Sequence, residues 1–285
     1  CLAIAMLKQL AATAAAAALA LYLYRRKRVS QPLPPFTVVS PTFYPSLTDV
    51  RCQLGIAACR EAKRLGFTLL LVDASSPEIK AALTQAGAIV KPQTYKGRKG
   101  AALREAIALA SAELPADGVV CIQELEKVEM IALWADVLTS IGGSKGASIV
   151  VPRRADSQFK ASYPIEQYYQ ENFANLYLDS HARAVGFPSI DWTMGPLCFR
   201  AALATHWTKF EGELWDAQIV PMVRAARWHG AVVASHSVPF RLSATMKAEE
   251  EGVPKWGDKR LDQLNFLWKH VGGGLKETAE GAGAS

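Results

Sequence analysis

The chain has 285 residues, 50% of them hydrophobic, with 32 Lys or Arg against 26 Asp or Glu for a formal charge of +6. That supply of apolar side chains is ample for a large core and excludes an intrinsically disordered protein. The basic excess is concentrated, Arg25, Arg26, Lys27 and Arg28 forming one short run, so the charge does not imply a nucleic-acid partner. Cysteines at 1, 52, 59, 121 and 198 lack paired short spacing, and the His residues are as scattered. They read as small buried hydrophobes in a reducing compartment, not as a disulfide frame or a zinc site.

The first predicted element is the Ala- and Leu-rich run Leu2 to Tyr24, interrupted only by Lys8, Gln9 and Thr13. About 20 such residues match a bilayer core, although Ala makes the span a marginal one. Tyr22 and Tyr24 followed by the basic run resemble an interfacial anchor with a cytoplasmic flank. Residues 1–29 are therefore expected to be a hydrophobic helix that tethers the protein to a membrane in a single pass, with everything downstream in the cytosol. A signal anchor of opposite orientation and an organelle transit peptide, removed after import, are the alternatives.

Residues 30–35, SQPLPP, form a Pro-rich linker that cannot continue a helix. From Phe36 strand-like and helix-like patterns alternate. Strands are predicted at Phe36 to Ser40, Thr68 to Asp73, Ala88 to Lys91 and Gly118 to Ile122; helices at Asp49 to Gly66, Pro77 to Gly87 and Ala101 to Ala112. This alternation is the signature of a parallel, doubly wound sheet, with residues 40–44, 73–76 and 123–127 on one edge. Further on come a strand at Ser148 to Val151, a Tyr- and Gln-rich helix from Tyr163 to Asp179, and a helix from Asp216 to His229. A strand from Ala231 to Phe240 and a helix from Lys259 to Val271 close the domain, taken as 36–271. The Gly- and Ala-rich residues 272–285 are expected to be a flexible tail.

Three stretches carry candidate chemistry. Asp73 closes the second strand, where a carboxylate accepts hydrogen bonds from a base or ribose, or caps the Pro77 helix. Lys96-Gly97-Arg98-Lys99-Gly100 through Arg104 offers glycines for close backbone approach, cations and a helix N-terminus to an anion, without a Walker A pattern. A solvated basic loop is the plain alternative. Glu124-Leu125-Glu126 follows an apolar strand, where open α/β sheets bind ligands, or else is a solvated helix start.

Taken in order, a strand running into Ser40-Pro41-Thr42, the Asp after the second strand, the Gly-Lys-Gly-like loop and the acidic strand end resemble the nucleotide-binding half of a GT-A glycosyltransferase of the family two type. The second half agrees: Asp191-Trp192-Thr193-Met194-Gly195-Pro196 and Glu213-Leu214-Trp215-Asp216 resemble that family's Gly-plus-strand segment and its acidic motif before a helix. The blocks QELEK, YPIEQ, DWTMGP and WDAQ are also similar to GT-A-like proteins of fungi and algae.

The resemblance spans about residues 36–242. It implies an α/β fold with a GT-A mixed sheet flanked by helices, and transfer of a sugar from a nucleotide-diphosphate donor to a hydroxyl acceptor, with Asp216 as the base of an inverting reaction. Thr42, Asp73, Lys96, Gly97, Arg98, Lys99, Arg104 and Glu124 would bind the donor. Glu124, Glu126 and His236 would hold a divalent cation, Mn²⁺ or Mg²⁺, although Glu-x-Glu stands where the family has Asp-x-Asp and Lys127 sits beside it. A metal-free site in which Lys127 or Arg98 meets the diphosphate is the alternative. Tyr163, Gln167, Asp191, Trp192 and Trp215 are the acceptor candidates. The same sheet also hosts nucleotidyltransferases and non-catalytic binding proteins.

Overall fold

Seven strands and ten α-helices build the domain, in a computed structural model that describes residues 32–142 and 146–272. The expected anchor over 1–29 and nearly all of the tail, from residue 273, lie outside the described residues. From Pro34 onward the chain is one contact unit. Strands β1 (Phe36–Thr42), β2 (Thr68–Asp73), β3 (Ile89–Pro92) and β4 (Val119–Ile122) are joined by α1 (Val50–Leu65), α2 (Pro77–Ala86) and α3 (Lys99–Glu113). Local chemistry sets these helix ends. Asp49 accepts the Cys52 amide at 3.0 Å and Gly66 closes α1 at φ 73°. Ser76 caps α2 ahead of Pro77, and Gly87 ends it.

The second half adds α4 (Val128–Leu138), β5 (Ile149–Arg154), α5 (Asp156–Ser162), α6 (Ile165–Ala184), β6 (Leu197–Arg200) and α7 (Ala204–Thr208). It finishes with α8 (Asp216–His229), β7 (Val233–Val238), α9 (Ala244–Glu250) and α10 (Pro254–Leu267). Helices α4, α5, α7 and α9 lie where the periodicity predicts none. The predicted start of the last helix at Lys259 is five residues late, because Pro254 at its first turn is a helix-start residue.

The sheet order is β3-β2-β1-β4-β6-β5-β7. β1 is parallel to β2 and β4, and β2 to β3, so residues 42, 73 and 123 do share an edge. The first four strands are parallel, as the alternation predicts, and β6 runs antiparallel to both β4 and β5, with Cys121 opposite Cys198. The result is a mixed sheet.

Both faces are covered, and alternate residues along each strand feed two cores. Val38, Leu69, Leu71 and Cys121 face α1 and α4, where Trp134 is fully buried. Val39, Leu70, Val72 and Ile122 face α3 and α8, with Trp207 stacked on Phe199 at 3.8 Å between ring centres. With both layers filled, the edge formed by the carboxyl ends of β1, β2 and β4 is what the sheet offers to a ligand.

Candidate active site

Three cavities that share wall residues lie along that edge. The inner one, about 310 Å³, lies between the β4 end, Met194, Trp215, Trp256 and Arg260. A middle one of about 150 Å³ is walled by Thr42, Tyr44 and Gln123, and an outer one of about 530 Å³ by Phe43, Ala74, Gln93, Lys96 and Gly97. Arg51, Glu124 and Glu126 line both inner and middle chambers, and Thr42 and Phe43 both middle and outer ones. Lys99, in the first turn of α3, lines all three.

The inner chamber is charged, with six Lys or Arg and four Glu side chains in its wall. Glu124 follows β4 and its carboxylate pairs with the Lys127 ammonium, which also donates to the Met194 carbonyl at 2.6 Å. Burial pushes the Glu124 carboxyl up, but Lys127, Lys99 and Lys259 outweigh it and hold the group down at about 2. Gly195 makes room for this pair, since a side chain there would put Cβ 2.7 Å from Glu124 Oε2 and its φ of 97° favours glycine. Burial pulls Lys259 below the usual lysine range, reinforced by Arg51 and Lys99.

A chain of alternating charges runs along the wall. Asp191 and Glu171 flank Arg154 at 2.7 and 2.6 Å, and the Arg154 side chain is 1% exposed. Arg260 joins Glu171 at 3.7 Å to Glu250 at 2.5 Å, and Arg51 joins Glu250 at 2.6 Å to Glu126 at 3.0 Å. Two polar atoms of the inner wall, Tyr163 Oη and Trp256 Nε1, are buried without a hydrogen-bond partner among the described residues. Such atoms are places for a water, an ion or a ligand to bind.

Several residues singled out in the sequence do meet here. Glu124, Glu126, Lys99, Tyr163, Gln167 and Trp215 line the inner chamber; Lys96, Gly97 and Arg98 line the outer one. Arg98 and several others are also engaged in the fold. Arg98 and Arg104 both grip Glu213, at 2.6 and 3.0 Å, and so tie α3 to the 212–213 loop. That loop passes so close that a Cβ on Gly100 would lie 2.0 Å from the Gly212 carbonyl oxygen. Asp73 accepts from Thr42 Oγ1 at 2.7 Å and from the Ser75 hydroxyl and amide at 2.9 and 2.8 Å. Its carboxylate ties the ends of β1 and β2 and is fully buried, while Ser76 is the cap of α2.

Asp216, expected to be the base, is not among the residues that line the inner chamber. It is buried, accepts the Leu214 amide at 2.9 Å, and lies behind the wall to which Leu214 and Trp215 contribute. Asp191 and Trp192, expected at the acceptor, are interior: Asp191 belongs to Arg154, and Trp192 donates to Asp179 at 2.7 Å. Arg51, Trp256, Lys259 and Arg260 are chamber residues that the sequence does not single out.

The expected cation ligands are not brought together. Glu124 is engaged by Lys127, Glu126 by Arg51, and His236 by Ser140 at 2.7 Å and Asp136 at 3.1 Å, away from the chambers. Among the described residues no group of three or more His, Cys, Asp or Glu side chains is placed to hold a metal ion. Glu124 and Glu126 thus each face a cationic side chain, and His236 stands apart from both.

No family model matches the chain, and no curated protein matches it. Among solved structures it is similar to M. tuberculosis glucosyl-3-phosphoglycerate synthase, with a TM-score of 0.54 and 13% identity over 83% of this chain and 81% of that one. A mycobacterial protein matches with a TM-score of 0.46 and 16% identity over 72% of this chain, which spans 65% of that protein's length. Mannosyl-3-phosphoglycerate synthase from Rubrobacter xylanophilus gives 0.44 and 11% over 84% of this chain and 75% of that one. The likeness is one of fold. The mixed seven-stranded sheet flanked by helices fits the GT-A architecture.

Proposed function

We propose that the protein is a glycosyltransferase that moves a sugar from a nucleotide-diphosphate donor to a hydroxyl acceptor. The observation that carries this reading is the row of neighbouring cavities: a half-apolar outer chamber, a small middle one and a charged inner one, with Lys99 in the wall of all three. An extended ligand with a planar base, a diphosphate and a polar sugar has that sequence of properties. Phe43, 68% exposed, offers a flat apolar wall for the base. The diphosphate then falls at Lys99 and Lys127, and the sugar meets the acceptor in the inner chamber beside Tyr163 and Trp256. The similar fold of a protein named a glucosyl-3-phosphoglycerate synthase supports sugar transfer as the use of this sheet.

In the transfer, the bond from the anomeric carbon to the diphosphate breaks and one to the acceptor oxygen forms. The acceptor proton passes to a carboxylate in the chamber. Glu171 and Glu250 have both oxygens bonded, and Glu124 is held at about 2 and is a poor base. Glu126 has no partner for Oε2 among the described residues, beside its Arg51 pair at Oε1, and is assigned that role. On this reading the domain works at a membrane, held there by residues 1–29.

The test is to incubate the full-length chain, in detergent, with a panel of nucleotide sugars and to follow nucleoside diphosphate release by chromatography. At least one donor should release its diphosphate, faster when hydroxyl acceptors are added. No release and no binding from any donor would sink the reading, and pyrophosphate release from a nucleoside triphosphate would replace it with nucleotidyl transfer.

A further inference from the structure

The carboxylates expected to hold a cation are already neutralised by side chains, and the charge around them is what a cation would bring. Lys127 pairs with Glu124, Lys99 and Lys259 line the same inner chamber, and neither of those two lysines has a carboxylate within 4.0 Å among the described residues. Three ammonium groups around one carboxylate leave two positive charges. They come from three separate elements: Lys99 from the first turn of α3, Lys127 from the start of α4, and Lys259 from α10. Lys259 also lies 4.8 Å from the centre of the Trp256 ring, which fixes the position of its ammonium group over the chamber.

We propose that Lys99, Lys127 and Lys259 stand in for the divalent cation, gripping the donor diphosphate directly, so that donor binding and transfer need no metal. The inference rests on the glycosyltransferase reading above and adds to it how the leaving group is held. When the bond to the anomeric carbon breaks, its electron pair leaves with the diphosphate oxygen. The fixed ammonium groups neutralise that charge without giving up a proton. Glu124 orients Lys127 and sets the net charge of the cluster; it is not a metal ligand.

Isothermal titration of UDP, GDP, CDP and ADP into the full-length chain in detergent separates the possibilities. With EDTA present at least one diphosphate should bind, and added Mn²⁺ should leave its affinity unchanged. Lys99→Gln and Lys259→Gln should each weaken it by roughly tenfold, the order of one hydrogen bond to a charged group. Glu124→Gln should tighten binding, because it removes the one negative charge in the cluster, whereas loss of a metal ligand weakens it. Circular dichroism of each variant separates a lost contact from a lost fold. Binding that appears only with Mn²⁺ and vanishes in Glu124→Gln would overturn the lysine cluster and leave the nucleotide reading standing. No binding of any diphosphate in either condition would overturn both.

Discussion

At the scale of single residues, the division of labour between Glu126 and Asp216 is the point most open to experiment. Asp216 sits at the first turn of α8, where a carboxylate suits the helix dipole, and its hydrogen bond to the Leu214 amide folds the loop that carries Trp215 into the chamber wall. Glu126 lines the chamber, with one oxygen unbonded among the described residues. A base acts mainly in the transition state, so Glu126→Gln should lower turnover by roughly 10²–10⁴-fold with donor affinity little changed. Asp216→Asn should instead lower the thermal midpoint and leave turnover within about tenfold of the parent, well short of the loss expected for a base. The reverse pattern in steady-state rates would return the base to Asp216. A Trp-Asp pair at a helix start reads the same in sequence whether the carboxylate faces a ligand or its own loop. The same ambiguity hides Asp191 and Trp192, whose polar and aromatic character suits a sugar but is consumed by Arg154 and Asp179.

At the scale of elements, the chain of alternating charges fastens α9 and α10 to the rest of the domain. Glu250, 7% exposed, is the link that both Arg51 of α1 and Arg260 of α10 share. Removing it leaves two guanidinium groups short of a partner, one of them in a residue only 8% exposed. Glu250→Ala should therefore cost about 3–5 kcal/mol. Amide exchange should rise first in α9 and α10. A loss below about 1 kcal/mol in denaturant titration, the range of a surface ion pair, would show that the link is not load-sharing. Helix ends were legible where an Asp, Pro or Gly marks them, as at Asp49, Gly66, Pro77 and Gly87, whereas the cap of α2 is Ser76 and not Asp73. The crevice was legible too, because parallel strands converge their carboxyl ends by geometry alone. The closing wall was not. Periodicity shows that the last helix has an apolar face, but not that Trp256, Lys259 and Arg260 will be brought against the end of β4, since that depends on packing between elements distant in sequence.

At the scale of the whole molecule, the contact unit from Pro34 onward has its own two-sided core, and no helix among the described residues is long and apolar enough to cross a membrane. The proposed tether thus falls to the apolar run of Leu2 to Tyr24 and the basic run that follows it. Folding of the domain draws on burial within its own layers, so a chain beginning at Pro32 should be soluble and keep the thermal midpoint and donor affinity of the full-length protein. The full-length chain should sediment with membranes and resist extraction by alkaline carbonate, as an inserted helix does and a peripheral contact does not. Protease added to intact spheroplasts or sealed vesicles reads the orientation: with Arg25 to Arg28 on the cytoplasmic side, the domain should be protected from the outside. A soluble mature form shortened by cleavage near the basic run would show instead that the segment is a transit peptide and that the enzyme works inside an organelle.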